Sequence, residues 1–121
     1  MEESLKFNSQ VCTNIKQSQR LLDLGLKSET ADMYHTTFYR DNVGYEIIQV
    51  RNVRLPLLSQ EIPAWSLHRL LEMLCNKECE EHYYFDFSID YDSTVDVYDS
   101  IIEVIERHIK GNFFNKKYLK Q

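Results

Sequence analysis

The fold of this chain is best predicted from one stretch near its middle, Ile62-Pro63-Ala64-Trp65-Ser66-Leu67-His68-Arg69-Leu70-Leu71-Glu72-Met73-Leu74. The stretch contains the only tryptophan of the chain and its densest run of leucines. Its apolar residues recur at helical spacing, which is typical of a helix that packs one face on a core. The residues on that face, all expected to be buried, are Ala64, Leu67, Leu70, Leu71 and Leu74.

Two starting points are open to this helix. Ser66 is a favourable N-cap, because its hydroxyl can accept a hydrogen bond from a free backbone N–H one turn into the helix. Trp65 would then pack against Leu70 as a hydrophobic staple. In the alternative, Pro63 occupies the first helical position, and Trp65 points among polar side chains. We favour the first arrangement because it buries the tryptophan.

The residues before this stretch predict a helix followed by a β-hairpin. The helix spans about residues 10–24 and ends at Gly25, which suits the left-handed conformation of a helix C-terminus. Residues 33–40 and 45–53 are rich in aromatic and β-branched side chains and predict two strands, although alternation is imperfect at Ile47-Ile48. The connection between them, residues 41–44, contains residues that tolerate positive φ. The loop that follows is expected to cover the core with Leu55, Leu57 and Leu58.

The residues after it predict a second hairpin and a last helix. Residues 82–92 alternate strictly between apolar and polar side chains, which is the period of a strand, and residues 94–97 continue the alternation as a shorter partner. Ser100 and Glu103 form a capping box that would open the last helix, and Gly111 would end it.

These elements predict an α+β fold in a single domain, residues 1–121, with the order helix, hairpin, helix, hairpin, helix. The two hairpins would join into one antiparallel sheet, and the three helices would pack on one face of it. Residues 1–9 and the basic, aromatic residues 112–121 are expected to be peripheral or flexible ends.

The composition predicts a cytoplasmic globular protein. Hydrophobic residues make up 43% and charged residues 27% of the chain, which is ordinary for a globular domain. No apolar run approaches the ~18 residues of a membrane span, and the N-terminus lacks the apolar core of a secretory signal. Three cysteines cannot all pair with one another, so reduced thiols are expected.

Charge is distributed unevenly along the chain. Between Glu78 and Glu106 there are ten acidic residues and no lysine or arginine, so this stretch carries −10 and the remainder +5. The net charge of −5 argues against nucleic-acid binding. A dipolar molecule of this kind could also pair head to tail with its own copies.

The acidic stretch contains the candidate binding residues. Asp86, Asp90 and Asp96 would share the outward face of the second hairpin, with Asp92 at its turn. Such a face is either a solvated surface that discourages edge pairing or a docking surface for a basic protein partner. The second interpretation predicts partner binding through these four aspartates.

No metal or cofactor site is predicted. Cys75, Cys79 and His82 have the spacing C-x3-C-x2-H, but no fourth ligand lies close by in the sequence. Residues 92–103 match the ligand positions of a calcium loop, yet Val97 replaces the required glycine and a strand is predicted where a helix should precede. The chain has no glycine-rich phosphate loop and no catalytic signature of the hydrolase or metalloprotease kind.

Two blocks of sequence carry a resemblance to a known group of proteins. They are Ser18-Gln19-Arg20-Leu21-Leu22-Asp23-Leu24-Gly25-Leu26 with Thr30-Ala31-Asp32-Met33, and Ile62-Pro63-Ala64-Trp65-Ser66-Leu67 followed by Leu70-Leu71-Glu72-Met73-Leu74. Through them the chain resembles small uncharacterised α+β proteins of gut anaerobic bacteria and their mobile elements. The resemblance covers most of the chain and departs from the group's pattern at Cys75, where a proline is frequent. Because that group has no assigned activity, the resemblance implies a fold and no site residues.

The sequence therefore predicts a non-enzymatic interaction or regulatory accessory protein of a bacterial mobile element, docking through its acidic hairpin. The alternative is a small enzyme whose site combines histidines with the hairpin carboxylates, for example if His35 and His82 meet across the sheet. A concave pocket with converging histidine and aspartate side chains would favour the enzyme.

Overall fold

A computed structural model of the chain describes residues 9–51, 55–74 and 96–120. Within these ranges the fold is α+β, with three α-helices and one three-stranded antiparallel sheet in the order β2-β1-β3. The elements are α1 (Ile15–Asp23), β1 (Met33–Arg40), β2 (Val43–Val50), β3 (Ile62–Ala64), α2 (Leu67–Leu74) and α3 (Val97–Lys110), with short 3-10 turns at Ser28–Thr30 and Lys116–Tyr118.

The central stretch forms a short strand and a capped helix. The prediction that Ser66 is the N-cap is confirmed, since its Oγ accepts a hydrogen bond from the N–H of Arg69 at 3.1 Å. Trp65 is fully buried in the same core cluster as Leu70. The sequence did not predict β3, which pairs with β1 just before the helix. Pro63 is tolerated there because β3 lies at the edge of the described sheet.

The leucines of this region are buried to different extents. Leu70 and Leu74 are in the core, whereas Leu67 and Leu71 pack on its margin and are only partly buried. The prediction that the loop covers the core with three leucines is wrong for two of them, because Leu55 is 62% and Leu58 57% exposed. These positions carry no helical or strand periodicity, so hydrophobicity alone did not predict their environment.

The first strand of the first hairpin has the predicted bounds, but the turn that follows it is shorter than predicted. Asp41 and Asn42 have φ values of 53° and 66°, and β2 starts directly after them at Val43. Two successive residues with positive φ are typical of the two-residue type I′ turn, whose twist matches that of the strands. The return strand therefore runs over Val43–Val50, earlier than predicted.

Helix α1 begins five residues later than predicted because a capping box fixes its start. The Asn14 side chain accepts from the N–H of Gln17 at 2.7 Å, and the Gln17 side chain accepts from the N–H of Asn14 at 3.0 Å. Val11 consequently lies outside the helix and is more than half exposed. The prediction for Gly25 is confirmed: its φ is 104°.

Helix α3 begins earlier than predicted, at the place where the second hairpin was expected to end. Asp96 is its N-cap and accepts from the N–H of Tyr98 at 2.8 Å, so the capping box at Ser100 does not start the helix. Starting at Val97 places Tyr98, like the isoleucines one turn later, on the buried face. The rest of the predicted second hairpin, residues 82–95, lies outside the described residues.

The C-terminal segment, for which a peripheral position was expected, packs against the core. Phe114 is only 5% exposed, because its ring enters the core cluster. The Lys27 N–H donates to the Tyr118 carbonyl at 2.8 Å, and the Lys120 N–H donates to the Gly25 carbonyl at 2.7 Å. Residues 112–120 are thus held to the end of α1 by backbone hydrogen bonds.

The core lies among the three helices and extends to β3. Its buried residues are Leu21, Leu26, Ala31, Trp65, Leu70, Met73, Leu74, Tyr98, Ile101, Ile102, Val104, Ile105 and Phe114. An ion pair between α1 and α3 adds to it: Glu106 contacts Arg20 at 2.9 Å and Lys110 at 3.1 Å. The hydrogen bonds from these two cations hold the pKa of Glu106 below its usual value.

The two adjacent leucines of α2 allow a matched test of the core. We expect Leu70→Ala to lower the free energy of unfolding by about 2–5 kcal/mol, because it leaves a cavity beneath the helix. Leu71→Ala removes the same atoms from the partly buried margin and should cost clearly less. Chemical denaturation of both variants measures the difference. Equal losses would contradict the described orientation of α2.

Candidate functional site

The four aspartates predicted to bind a partner do not form one described surface. Asp86, Asp90 and Asp92 lie outside the described residues. Asp96 is described, and the structure places it at the start of α3 and not on the outward face of a hairpin. Its carboxylate accepts hydrogen bonds from the Tyr98 N–H and from the side chain of Gln17. Asp96 therefore fixes a helix start, which corrects its predicted place on a hairpin strand.

Asp96 belongs to a junction between α1 and α3 that is centred on Gln17. The Gln17 side chain is 4% exposed, and its Nε2 donates to Asp96 Oδ2 at 3.0 Å and to Asp99 Oδ1 at 2.9 Å. Its Oε1 accepts from the Asn14 N–H at 3.0 Å and from Gln10 Nε2 at 2.7 Å. Both amide hydrogens and both oxygen lone pairs are thus used. The two carboxylates also lie at the positive end of the α3 dipole.

A second polar cluster joins the segment before α1 to the central stretch. The Thr13 N–H donates to the Trp65 carbonyl at 2.9 Å, and the Trp65 N–H donates to Thr13 Oγ1 at 3.0 Å. Thr13 Oγ1 also lies 2.8 Å from Ser18 Oγ. Thr13 and Ser18 are both fully buried. Their hydrogen bonds matter because a buried polar group without a partner would destabilise the fold.

Asp32 and Thr30 complete the polar contacts of the central stretch. The Asp32 carboxylate accepts from the Ser66 N–H at 2.9 Å and from Ser66 Oγ at 2.5 Å. The indole Nε1 of Trp65 donates to Thr30 Oγ1 at 2.9 Å. The Ser66 hydroxyl therefore accepts a hydrogen bond from the Arg69 N–H at the helix start and donates one to Asp32.

The potential nucleophiles near these clusters are not activated. The Ser66 hydroxyl donates to a carboxylate and has no histidine as its base. Burial, with the charge of Asp32 adding to it, raises the pKa of the Cys12 thiol to about 11. Since the thiolate is the reactive form of cysteine, Cys12 is an inert thiol at neutral pH. Both residues contribute to stability in the described geometry.

The described histidines lie on separate elements. His35 on β1 donates from Nε2 to the Thr13 carbonyl at 2.7 Å. His68 is exposed on α2, and burial, together with the charge of Arg107, lowers the pKa of His108 on α3. His82 lies outside the described residues, as do Cys75 and Cys79. Within residues 9–51, 55–74 and 96–120, no group of three His, Cys, Asp or Glu side chains is placed to hold a metal.

The first hairpin carries a large exposed apolar surface, which sequence reasoning missed. We call it the hairpin surface. Its members are all at least 44% exposed, and Tyr39 and Val50 exceed 70%. Strand register and the two-residue period place three of them on each face of the hairpin. The members are Phe38, Tyr39, Val43, Tyr45, Ile48 and Val50.

The outer edge of β2 is a second feature of the same hairpin. In a two-residue hairpin the residues that flank the turn, Arg40 and Val43, form a hydrogen-bonded pair. Alternate residues of β2 then point their N–H and C=O groups toward β1, and the bond from the Arg51 N–H to the Asp32 carbonyl at 2.8 Å fits this pattern. The outward residues are Gly44, Glu46, Ile48 and Val50. In the described sheet no strand pairs with this edge.

A shallow crevice of about 350 Å³ lies at the base of the hairpin. Tyr34 and Val50 contribute from the strands, and Leu55 and Leu58 from the following loop. The crevice is mainly apolar and contains no histidine, so it lacks the converging histidine and aspartate expected of the enzyme alternative. It extends the hairpin surface toward the loop.

Compared with models of protein families, with curated proteins and with solved structures, the chain matches none of them. The resemblance noted from the sequence therefore stays a prediction. In the part of the chain that the structure describes, no helix is both long enough and apolar enough to cross a bilayer.

The inert thiol can be tested directly. We expect iodoacetamide at pH 8 to leave Cys12 unmodified in the folded protein and to alkylate it fully in denaturant, as measured by mass spectrometry of the peptide that contains it. At a pKa of about 11 only roughly one thiol in a thousand is ionised at this pH, and the buried sulfur is inaccessible. Alkylation as fast as that of glutathione in the same tube would contradict the described environment.

The junction at Gln17 predicts a pH-dependent variant. Gln17→Glu adds a buried carboxylate beside Asp96 and Asp99, so it should lower the free energy of unfolding at pH 7 by about 2–4 kcal/mol. Like charges and burial would raise the pKa of this new glutamate in the folded state. The loss of stability should therefore be small below pH ~4.3, the pKa of glutamate in an unfolded chain, and should grow as the pH rises above that value.

The control for this experiment is Gln17→Met, which removes the same hydrogen bonds without adding a charge. Its loss of stability should change little with pH. Denaturant titrations of both variants and the parent protein at several pH values give the comparison. A Gln17→Glu penalty that is constant from pH 4 to pH 8 would show that the new side chain avoids the two carboxylates.

Proposed function

We propose that this chain is a non-enzymatic protein-interaction module that binds another polypeptide along the first hairpin. The observation that carries the proposal is the hairpin surface, six large apolar side chains exposed on two adjacent strands. Exposed apolar side chains scattered singly are normal, whereas these six lie on two paired strands, three on each face. The edge of β2 that no strand of the described sheet covers belongs to the same hairpin.

The physical basis of binding would be strand addition. An extended polypeptide placed along β2 would satisfy the outward N–H and C=O groups, while its alternate side chains cover the apolar faces. Proteins usually protect such edges with lysine, proline or a bulge. Residues 43–50 contain no lysine, arginine or proline, and their register with β1 is regular throughout. Glu46 is the only charged residue of this strand, so one charge is all that opposes pairing along it.

The described polar residues do not favour the enzyme alternative. Cys12 is an un-ionised thiol, Ser66 donates to Asp32, and His35 donates to a backbone carbonyl. Each of these groups is used in holding the fold. An activity that involves His82 or the other residues outside the described ranges stays a prediction from the sequence.

The acidic docking face of Asp86, Asp90, Asp92 and Asp96 also stays a prediction. Of these four, Asp96 lies at the start of α3, where its carboxylate also caps the helix and binds Gln17. Several finer proposals rest on the sequence alone: a second hairpin within residues 82–95, a basic protein partner, a cytoplasmic location and a regulatory role in a bacterial mobile element.

Site-specific photo-crosslinking in the cells that make the protein would test the proposal. A photoreactive phenylalanine analogue at Tyr45 places the probe on the hairpin surface, where an aromatic side chain is already accommodated. We expect illumination to produce adducts heavier than the chain itself, because a partner that covers β2 brings its atoms within reach of this side chain. Adduct masses on a denaturing gel give the measurement.

The matched control has the same analogue at Asp23, which is exposed on α1. Adducts from position 45 but not from position 23 would support docking at the hairpin. Equal yields would indicate non-specific collision, and the lack of adducts at position 45 would refute the proposal. Mass spectrometry then shows whether each adduct contains another protein or a second copy of this chain.

A further inference from the structure

We infer that the edge of β2 binds a second copy of this chain, with the two β2 strands antiparallel about a two-fold axis at Ile47. The inference rests on the proposed function, since it uses the same edge, and it names one occupant. Its support is that β2 is complementary to itself in hydrogen bonding and in the positions of its side chains, and that one register keeps its single charge apart from that of the second copy.

Hydrogen bonding selects this register. The outward groups of β2 are those of Gly44, Glu46, Ile48 and Val50. Centred on Ile47, the pairing sets Gly44 against Val50 of the second copy and Glu46 against Ile48 of the second copy. Each outward residue then meets an outward residue and can exchange both of its hydrogen bonds. A shift in either direction leaves an outward residue at the end of β2 without a partner inside the strand.

The charge of β2 selects the same register. Glu46 is the only charged residue between Val43 and Val50. Pairing centred on Glu46 would place the two carboxylates directly opposite each other, which destabilises a sheet. Pairing centred on Ile47 places each carboxylate opposite an isoleucine and separates the two charges. Self-association therefore meets only weak repulsion.

The side chains also fit. Residues paired in this register have the same parity, so a two-fold axis perpendicular to the sheet keeps each pair on one face. Ile47 meets Ile47 of the second copy, and Tyr45 meets Gln49 of the second copy. Gln49 already accepts a hydrogen bond from the Tyr34 hydroxyl at 3.1 Å within its own chain. The second copy thus continues a row of tyrosine and glutamine side chains across the joint.

The size of the contact sets its strength. In this register the two strands pair over residues 44–50, which is only about 24 Å at ~3.4 Å per residue. Such a joint buries less than the ~1,200–2,000 Å² of a stable interface. We therefore expect a weak dimer in reversible exchange with the monomer, which leaves the edge available to a competing strand.

Sedimentation velocity of the purified full chain over about a hundred-fold range of concentration tests for this dimer. The weight-average mass should rise toward twice that of the chain. Glu46→Pro removes an outward N–H that does not bond to β1, and it should abolish the rise. Glu46→Gln removes the remaining repulsion, so this variant should associate as strongly as the parent protein or more strongly. A parent protein that stays monomeric throughout would overturn the inference.

Amide hydrogen exchange gives a second measurement that needs no variant. The outward amides of Glu46 and Ile48 should exchange more slowly as the concentration rises, whereas the turn residue Asn42 should not change. If the outward amides are already protected in dilute monomer, another segment of the chain covers the edge. That result would overturn both this inference and the proposed docking edge.

Disulfide trapping tests the register. Ile47→Cys places two thiols at the axis, in a pair without mutual hydrogen bonds whose Cα atoms lie about 4.5 Å apart, so mild air oxidation should link two chains. Gln49→Cys is the control, because its counterpart lies four residues away along the strand, and the parent protein gives the background from native cysteines. Trapping at 49 and not at 47 would overturn the register.

The outcomes separate the two proposals. A monomeric chain whose position-45 probe still captures another protein would refute self-pairing and support the interaction module. A dimer with the predicted register supports both proposals. A monomer with no adduct at position 45 refutes both.

Discussion

The described structure depends on how Trp65 is held. Its ring is fully buried among helices, its backbone exchanges two hydrogen bonds with Thr13, and its indole N–H donates to Thr30. The residue therefore joins the segment before α1, the turn before β1, and the start of α2. Because β3 immediately precedes it, the same residue sets where the helices meet the sheet.

Local signals in the sequence were sufficient for several elements. The cap at Ser66, the positive φ of Gly25 and the extent of β1 follow from short-range chemistry, namely a hydroxyl, the lack of Cβ and a run of β-branched and aromatic side chains. The starts of α1 and α3 were not predicted: at α1 the local capping box of Asn14 and Gln17 was missed, and at α3 the Asp96 cap competes with the capping box at Ser100. Asn14 and Asp96 prevail through their contacts with Gln17, a residue 79 positions from Asp96 in the chain.

The candidate site was less predictable than the fold. The aspartates were predicted to bind a partner because they lie in a run of acidic residues. The bond between Asp96 and Gln17 depends on where α1 packs, which the sequence pattern does not show. The hairpin surface gave a weaker signal, the broken alternation at Ile47-Ile48, because side chains of both faces are apolar there. Periodicity shows which face of a strand is more apolar, but it does not show whether anything covers that face. The exposure of Phe38 and Tyr45 depends on what packs over the hairpin, which short-range sequence patterns do not encode.

Gln17 has a consequence for how this sequence can change. Its amide oxygen accepts a hydrogen bond at the start of α1, and its amide nitrogen donates to the two carboxylates at the start of α3. The side chain therefore has to be an acceptor on one side and a donor on the other. Asparagine is one methylene too short to span both helices, and glutamate has no donor. No single conservative replacement is therefore available at this position. Among related sequences position 17 should co-vary with positions 96 and 99, and an amide lost at one should be matched by a carboxylate lost at the others.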